Sequence, residues 1–167
     1  VVINDQVETC ADEILKIIAD MEGTPDGAYN IRANSELASR HVTENVDIVT
    51  KTDKPGIDII IKPGTKGEKV HIPVIISQTG LKELVYNDFY IGDDCDVEIV
   101  AGCGIHNCGD EESRRDGVHT FFVGKNSKVT YVEKHIGIAD GKGESNMNPT
   151  TVINIDEGGY MEMETTQ

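Results

Sequence analysis

Phe89-Tyr-Ile-Gly-Asp-Asp-Cys-Asp-Val-Glu-Ile99, Phe121-Phe-Val-Gly-Lys-Asn-Ser-Lys-Val-Thr-Tyr131 and Ile153-Asn-Ile-Asp-Glu-Gly-Gly-Tyr-Met-Glu-Met163 align without a gap, each 32 residues after the last. Apolar residues recur at Phe89/Phe121/Ile153, Ile91/Val123/Ile155, Val97/Val129/Met161 and Ile99/Tyr131/Met163. A polar corner of five residues separates the two apolar pairs. Period-2 alternation on either side of that corner reads as strand, tight corner, strand. Residues 104–117 and 136–149 read as a longer loop, of equal length in successive copies. Such a unit is too small to bury its own apolar face, so stacked neighbours must cover it. Strand–corner–strand units repeated in parallel make a right-handed parallel β-helix, with coils roughly 4.8 Å apart. Val97, Val129 and Met161 are then expected in one column. The competing architecture is a β-sandwich with chance internal similarity.

Outward from the repeat, the chain stays β-rich. Short runs at 46–51, 57–62, 70–77, 84–91, 96–101, 118–123, 128–135, 150–155 and 160–165 alternate with Gly, Asn, Asp and Pro. Residues 57–61 read as part of an earlier coil, with a longer corner before Val70. Residues 6–21 read instead as a helix: Ile14, Leu15, Ile17, Ile18 and Met21 share a broad face, and Gly23 ends it. Cys10 sits there as a small packed thiol. The expected organisation is a helical segment over 1–27 and an all-β, parallel β-helix domain over 28–167. The chain begins at Val1 and stops just after its last strand-like run, which reads as an interruption of the domain at its C-terminus.

The chain has 15 Lys and Arg against 30 Asp and Glu, a net charge of −15. Such a surface repels phosphate backbones and anionic lipid, which argues against nucleic-acid and membrane partners. No run approaches the roughly 18 apolar residues of a membrane span. The four cysteines, Cys10, Cys95, Cys103 and Cys108, come without other signs of secretion. A reduced, cytoplasmic setting is expected, in which clustered Cys and His point to metal or sulfur chemistry rather than disulfides.

The densest such cluster is Cys103-Gly-Ile-His106-Asn-Cys108. Two thiols and an imidazole within six residues can reach one soft metal ion, although a structural zinc site needs a fourth ligand. The bland reading is a glycine-rich loop that happens to hold them. Position 103 plus the 32-residue period is His135, so stacking brings these two backbones about 5 Å apart. Alternation places Glu133 and His135 on the face of Val129 and Tyr131. A carboxylate and an imidazole facing a core are costly unless paired or ligated, and the alternative is that the strand leaves the core near Lys134. His119 shares the parity of Phe121 and Val123, which suits either a satisfied core histidine or a ligand. His41 and His71 lack clustered partners, and Cys95 lies in the polar corner. Phosphate-binding, dinucleotide, His-Glu-x2-His and Gly-x-Ser-x-Gly motifs are absent from the sequence.

Val100-Ala-Gly-Cys103-Gly-Ile-His106 and Asp116-Gly-Val-His119-Thr-Phe-Phe-Val-Gly-Lys-Asn-Ser-Lys-Val-Thr-Tyr131-Val-Glu-Lys-His135-Ile-Gly resemble the core of the SufB/SufD family. So does Asn148-Pro-Thr-Thr leading into Gly158-Gly-Tyr-Met-Glu-Met-Glu-Thr-Thr-Gln167. The likeness runs over residues 28–167 and is nearest to compact, stand-alone members from archaea and anaerobic bacteria. It implies a parallel β-helix scaffold that works with a SufC-type ATPase and receives sulfur and iron to build a transient iron–sulfur cluster. An open coil end needs covering, so a homodimer or a SufB/SufD-like heterodimer is expected. In SufB-like members a cysteine in a Gly-Cys setting, at the end of a core strand, is associated with sulfur delivery through the helix interior. Cys103 is the matching position, and His119 and His135 match polar positions in the next coil. The family's later cluster-associated cysteine and ATPase-binding helices have no counterpart before Gln167.

Three functional readings follow. The first is a non-enzymatic scaffold for iron–sulfur cluster assembly. In it Cys103, Glu133 and His135 hold the cluster or its iron, and Cys103, His106, Cys108 and His119 are candidate metal ligands. The second is a carbohydrate-active hydrolase or lyase on the same fold, which needs a groove with paired carboxylates. The third is a β-solenoid interaction module in which the Cys/His cluster is incidental.

Overall fold

A computed structural model describes Lys16 and residues 25–167. The helix expected over 6–21, with Cys10, lies outside the described residues except for Lys16, which is helical. From residue 25 onward the regular elements are strands: β1 (Tyr29–Ala33), β2 (Glu36–His41), β3 (Val46–Thr50), β4 (Gly56–Ile61), β5 (Lys66–Ile76), β6 (Lys82–Ile91), β7 (Asp96–Asn107), β8 (Ser113–Val123), β9 (Lys128–Ala139), β10 (Ser145–Ile155) and β11 (Tyr160–Thr166). One sheet has the order β11-β9-β7-β5-β1-β2 and the other β10-β8-β6-β4-β3. Successive strands alternate between the sheets, so β4–β5, β6–β7, β8–β9 and β10–β11 are coils of a parallel β-helix. No helix among the described residues is long and apolar enough to cross a membrane.

The 32-residue period is the register of the stack. Val97 pairs with Val129, and Val129 with Met161. Phe89 pairs with Phe121, and Phe121 with Ile153. The Phe89 and Phe121 rings lie face to face at 4.3 Å between centroids, and Tyr131 tilts against Phe121 at 4.8 Å. The earlier coils are shorter: Gly56 pairs with Tyr86 and Val70 with Ile99. There the corner is not longer, as expected from the sequence, but the same tight turn. β5 starts at Lys66, and a bulge between Lys66 and Glu68, at Gly67, absorbs the offset.

The corner column explains why the chain turns in the same place in every coil. Gly64, Asp94, Asn126 and Gly158 all have positive φ, at 79°, 56°, 55° and 71°. Gly, Asn and Asp are the residues that enter this region at least cost. The next residue inward caps the turn. Thr65 donates its hydroxyl to Lys62 O at 2.7 Å, and Ser127 donates to Gly92 O at 2.6 Å. Cys95 holds the equivalent place, its thiol 3.1 Å from Lys62 O. It acts as a turn-capping group.

The expected long loops over 104–117 and 136–149 are mostly strand. β7 runs on to Asn107 and β9 to Ala139, while β8 begins at Ser113 and β10 at Ser145. Each coil therefore has a second corner, at 108–112 and 140–144. Gly-rich, polar composition made these stretches read as loop, but in-register parallel pairing with the neighbouring coil, Gly104 with Ile136 and Ser113 with Ser145, holds them as strand. At the amino-proximal end, β1 and β2 form a hairpin that the sequence reading did not find. Its two-residue turn is Asn34-Ser35, with φ of 49° and 68°. β1 adds in parallel to β5, and β3 adds antiparallel to β4, so both sheets gain irregular strands beyond their first coil. At the other end, Ile153, Ile155 and Met163 of the last coil remain more than 40% exposed.

Two apolar clusters of the interior are seen among the described residues. The larger runs from Ala28 and Val46 through Ile59, Phe89, Ile99 and Phe121 to Val129 and Tyr131. The smaller comprises Val74, Ile76, Cys103 and Ile105, with Leu81 and Met147 against it. Inside-out parity gives a test. Phe121 is fully buried and its neighbour Phe122 faces outward. Phe121→Ala should cost about 3–5 kcal/mol in urea unfolding, whereas Phe122→Ala should cost under about 1 kcal/mol. Equal losses would contradict this placement of the interior.

Candidate functional site

Between the two apolar clusters a band of polar side chains crosses the solenoid from one sheet to the other. β6 and β8 contribute Glu83, Arg115 and His119; β9 contributes Glu133 and His135; β1 contributes Arg32. Glu83 pairs with Arg115 and Ala101 with Glu133 in the parallel ladders, so these residues arise from ordinary inward positions of stacked coils. Arg115 donates from Nε to Glu83 Oε1 at 2.9 Å, with both side chains only 7% exposed. Ser35 donates to the other oxygen of Glu83 at 2.6 Å, and an Arg32 nitrogen lies 3.7 Å from it. On the opposite wall, Tyr131 donates its hydroxyl to Glu133 Oε2 at 2.6 Å. The remaining oxygen, Oε1, faces Nε2 of His135 across a short hydrogen bond.

Every charge in this band has a partner, as burial demands. Glu133 shows the balance. Burial pushes its carboxyl up, but the hydrogen bonds from His135 and Tyr131 and the neighbouring His119 outweigh burial and hold it below the usual carboxylate range. The Tyr131 hydroxyl is driven well above its ordinary value by burial and by Glu133. His119 stacks on Phe89 at 6.1 Å, its Nδ1 has no hydrogen-bond partner among the described residues, and Gly117 leaves room for its ring. Burial, reinforced by Arg115, lowers its pKa to about 4, so the ring is neutral. A cavity of about 10 Å³, room for about one water molecule, is lined by Ile72, Ala101, Gly102, Arg115, His119, Glu133 and His135.

Cys103 stands at the boundary of this band and the smaller apolar cluster. It pairs with Val74 on one side and His135 on the other, so the expected Cys103–His135 adjacency holds. The thiol is 1% exposed. Burial raises its pKa, while the guanidinium of Arg115 pulls the other way. At rest Cys103 is therefore a protonated thiol with a cation positioned to favour its thiolate.

Glu133 and His135 both face the interior, so the strand does not leave the core at Lys134. The candidate ligand set of Cys103, His106, Cys108 and His119, in contrast, is not one site. Alternation along β7 turns Cys103 inward and His106 outward, and Cys108 lies exposed beyond the strand end. His119 is in the interior band. His106 and Cys108 are instead grouped with Asp140 on the surface. Sequence reasoning missed Glu83, Arg115, Arg32 and Asp140. Three of these carried a signal: Glu83 to Arg115 and Cys108 to Asp140 are both one 32-residue period apart. Compared with protein families, curated proteins and solved structures, the chain finds no match.

The lowered values of His119 and Glu133 act in the same direction. The unfolded chain protonates its histidine near its ordinary value of about 6.5, before the folded one does near about 4. Stability should fall as pH drops through that window, by about 3 kcal/mol from His119 alone. Glu133 adds to the loss as pH falls through its own lowered value. In His119→Gln the urea midpoint should decline less steeply between pH 6.5 and 4.5. An unchanged slope would remove His119 from the account.

Proposed function

We propose that this chain is a scaffold for iron–sulfur cluster assembly, with Cys103 as the residue that accepts sulfur and the Glu133–His135 pair as the neighbouring iron-binding groups. The observation that carries this reading is the interior polar band. A β-helix of this size gains nothing in packing from two arginines, two carboxylates and two histidines across its core; apolar residues of similar volume would serve stability as well or better. The band places a cysteine next to a guanidinium, an imidazole and a carboxylate, a set suited to receiving sulfur and then iron. The SufB/SufD resemblance of the same stretch points the same way.

In this reading the Cys103 thiolate takes the sulfane sulfur of a donor persulfide, and the donor leaves as its own thiolate. Arg115 lowers the cost of forming the Cys103 anion. Iron, as substrate, then meets the new persulfide beside Glu133 and His135. Because the thiol is buried, loading requires the coils to part, and a SufC-type ATPase partner would supply that work. A homodimer or a heterodimer with a related subunit would cover the exposed apolar residues of the last coil. The carbohydrate-active alternative is weaker. The carboxylates of the band, Glu83 and Glu133, are buried against cationic or hydrogen-bonding partners, not set across an open groove.

Anaerobic reconstitution of the full chain with ferrous iron and sulfide should produce a visible charge-transfer absorption. Cys103→Ser should abolish it, Glu133→Gln should reduce it, and Cys95→Ser and Cys108→Ser should leave it intact. A protein that stays colourless, or an absorption that survives Cys103→Ser, would overturn the proposal.

A further inference from the structure

The second corners, joining β7 to β8 and β9 to β10, carry a separate cluster. Asn107, fully buried at the end of β7, ties two successive corners together. Its side-chain amide donates to Glu111 O at 2.7 Å and to Glu144 O at 3.1 Å, and its carbonyl accepts from Gly109 N at 3.1 Å. Gly141 packs so closely on the corner before it that a Cβ there would lie 2.3 Å from Gly109 O. The two corners are therefore locked in stacking contact. Asn107 and Ala139 are the last paired residues of β7 and β9, so Cys108 and Asp140, immediately after them, are brought together. His106 is the last outward-facing residue of β7. Its Nε2 lies 2.6 Å from Asp140 Oδ2 and 3.2 Å from Cys108 Sγ. One ligand atom from each of the three falls within 4.8 Å of the others.

We propose that His106, Cys108 and Asp140 bind a divalent first-row transition metal ion of the zinc class. Imidazole nitrogen, thiolate and carboxylate oxygen are the donors such an ion takes, at about 2.0–2.3 Å each. Four-coordinate ligands around an ion of that size sit roughly 3–4 Å apart, so the His106–Asp140 separation of 2.6 Å must widen by roughly 0.4–1.4 Å. Asp140 is 65% exposed and His106 19% exposed, so a small rotation of the aspartate accommodates the ion. The ion replaces the hydrogen bond and the thiol proton now between these groups. Solvent supplies the fourth position, making this an open site. The corners, not the ion, fix the backbone: the Asn107 bonds and the glycine contact hold the three residues together beforehand. The proposal does not rest on the iron–sulfur reading, because Cys103 and the interior band take no part in it.

Cobalt(II) titration of the reduced full chain tests it, followed by competition with zinc(II). One equivalent should bind with a thiolate-to-cobalt charge-transfer band and the intense d–d bands of four-coordinate cobalt, and zinc should remove both. Cys108→Ser should abolish the charge-transfer band. Asp140→Asn and His106→Gln should each weaken binding by at least about tenfold. Cys103→Ser should leave the titration unchanged, which separates this result from the reconstitution experiment. A charge-transfer band that survives Cys108→Ser, or cobalt binding with no thiolate band, would overturn the site. Far-UV circular dichroism of each variant guards against loss of fold, and the exposed positions of Cys108 and Asp140 make that loss unexpected.

Discussion

Parallel backbone pairing from coil to coil is the constraint that everything else obeys. Each inner strand exchanges hydrogen bonds with the strands of the coils on either side, so a side chain is bound to have its counterparts directly above and below it. The inside of the solenoid is therefore a set of columns. An apolar column is self-consistent: Ile59, Phe89, Phe121 and Ile153 follow one another without any special arrangement. A polar residue placed in a column changes the requirements on its neighbours, because a buried charge without a partner is very costly.

The polar band is the result of that rule being applied across the core. Glu83 and Arg115 answer each other within one ladder, and Glu133, His135 and Tyr131 answer one another along a single strand. The band separates the larger apolar cluster from the smaller one that contains Cys103. It leaves Cys103 walled in, protonated and beside a guanidinium. Such a thiol is quiet while the coils are closed. The stack ends in irregular strands on one side and in a coil with exposed apolar residues on the other.

The residues that looked like one cluster in the sequence serve two environments. A strand sends alternate side chains to opposite faces, so three residues suffice to divide Cys103 from His106. Composition could not reveal this while residues 104–117 read as loop, for a loop has no parity. The same misreading hid the second corner, and with it the meeting of Cys108 and Asp140. The β1–β2 hairpin was missed because β2 is exposed along most of its length and carries little apolar alternation. Arg32 reaches the band through that hairpin, and its partnership with Glu83 spans parts of the chain that share no repeat.

The sequence alone determined the β-helix, the 32-residue register and the columns, including Cys103 beside His135. It could do so because backbone pairing in a solenoid turns a period along the chain into adjacency in space. It also set the turn column, since few residues other than Gly, Asn and Asp accept the left-handed backbone found at positions 64, 94, 126 and 158. Only the tertiary structure decided which side chains meet across the interior. Contacts between opposite sheets, such as those joining His119 to Tyr131 or Arg115 to Cys103, depend on how the two walls are spaced and offset. A one-dimensional repeat fixes neighbours along a column; the gap between the walls is set by packing.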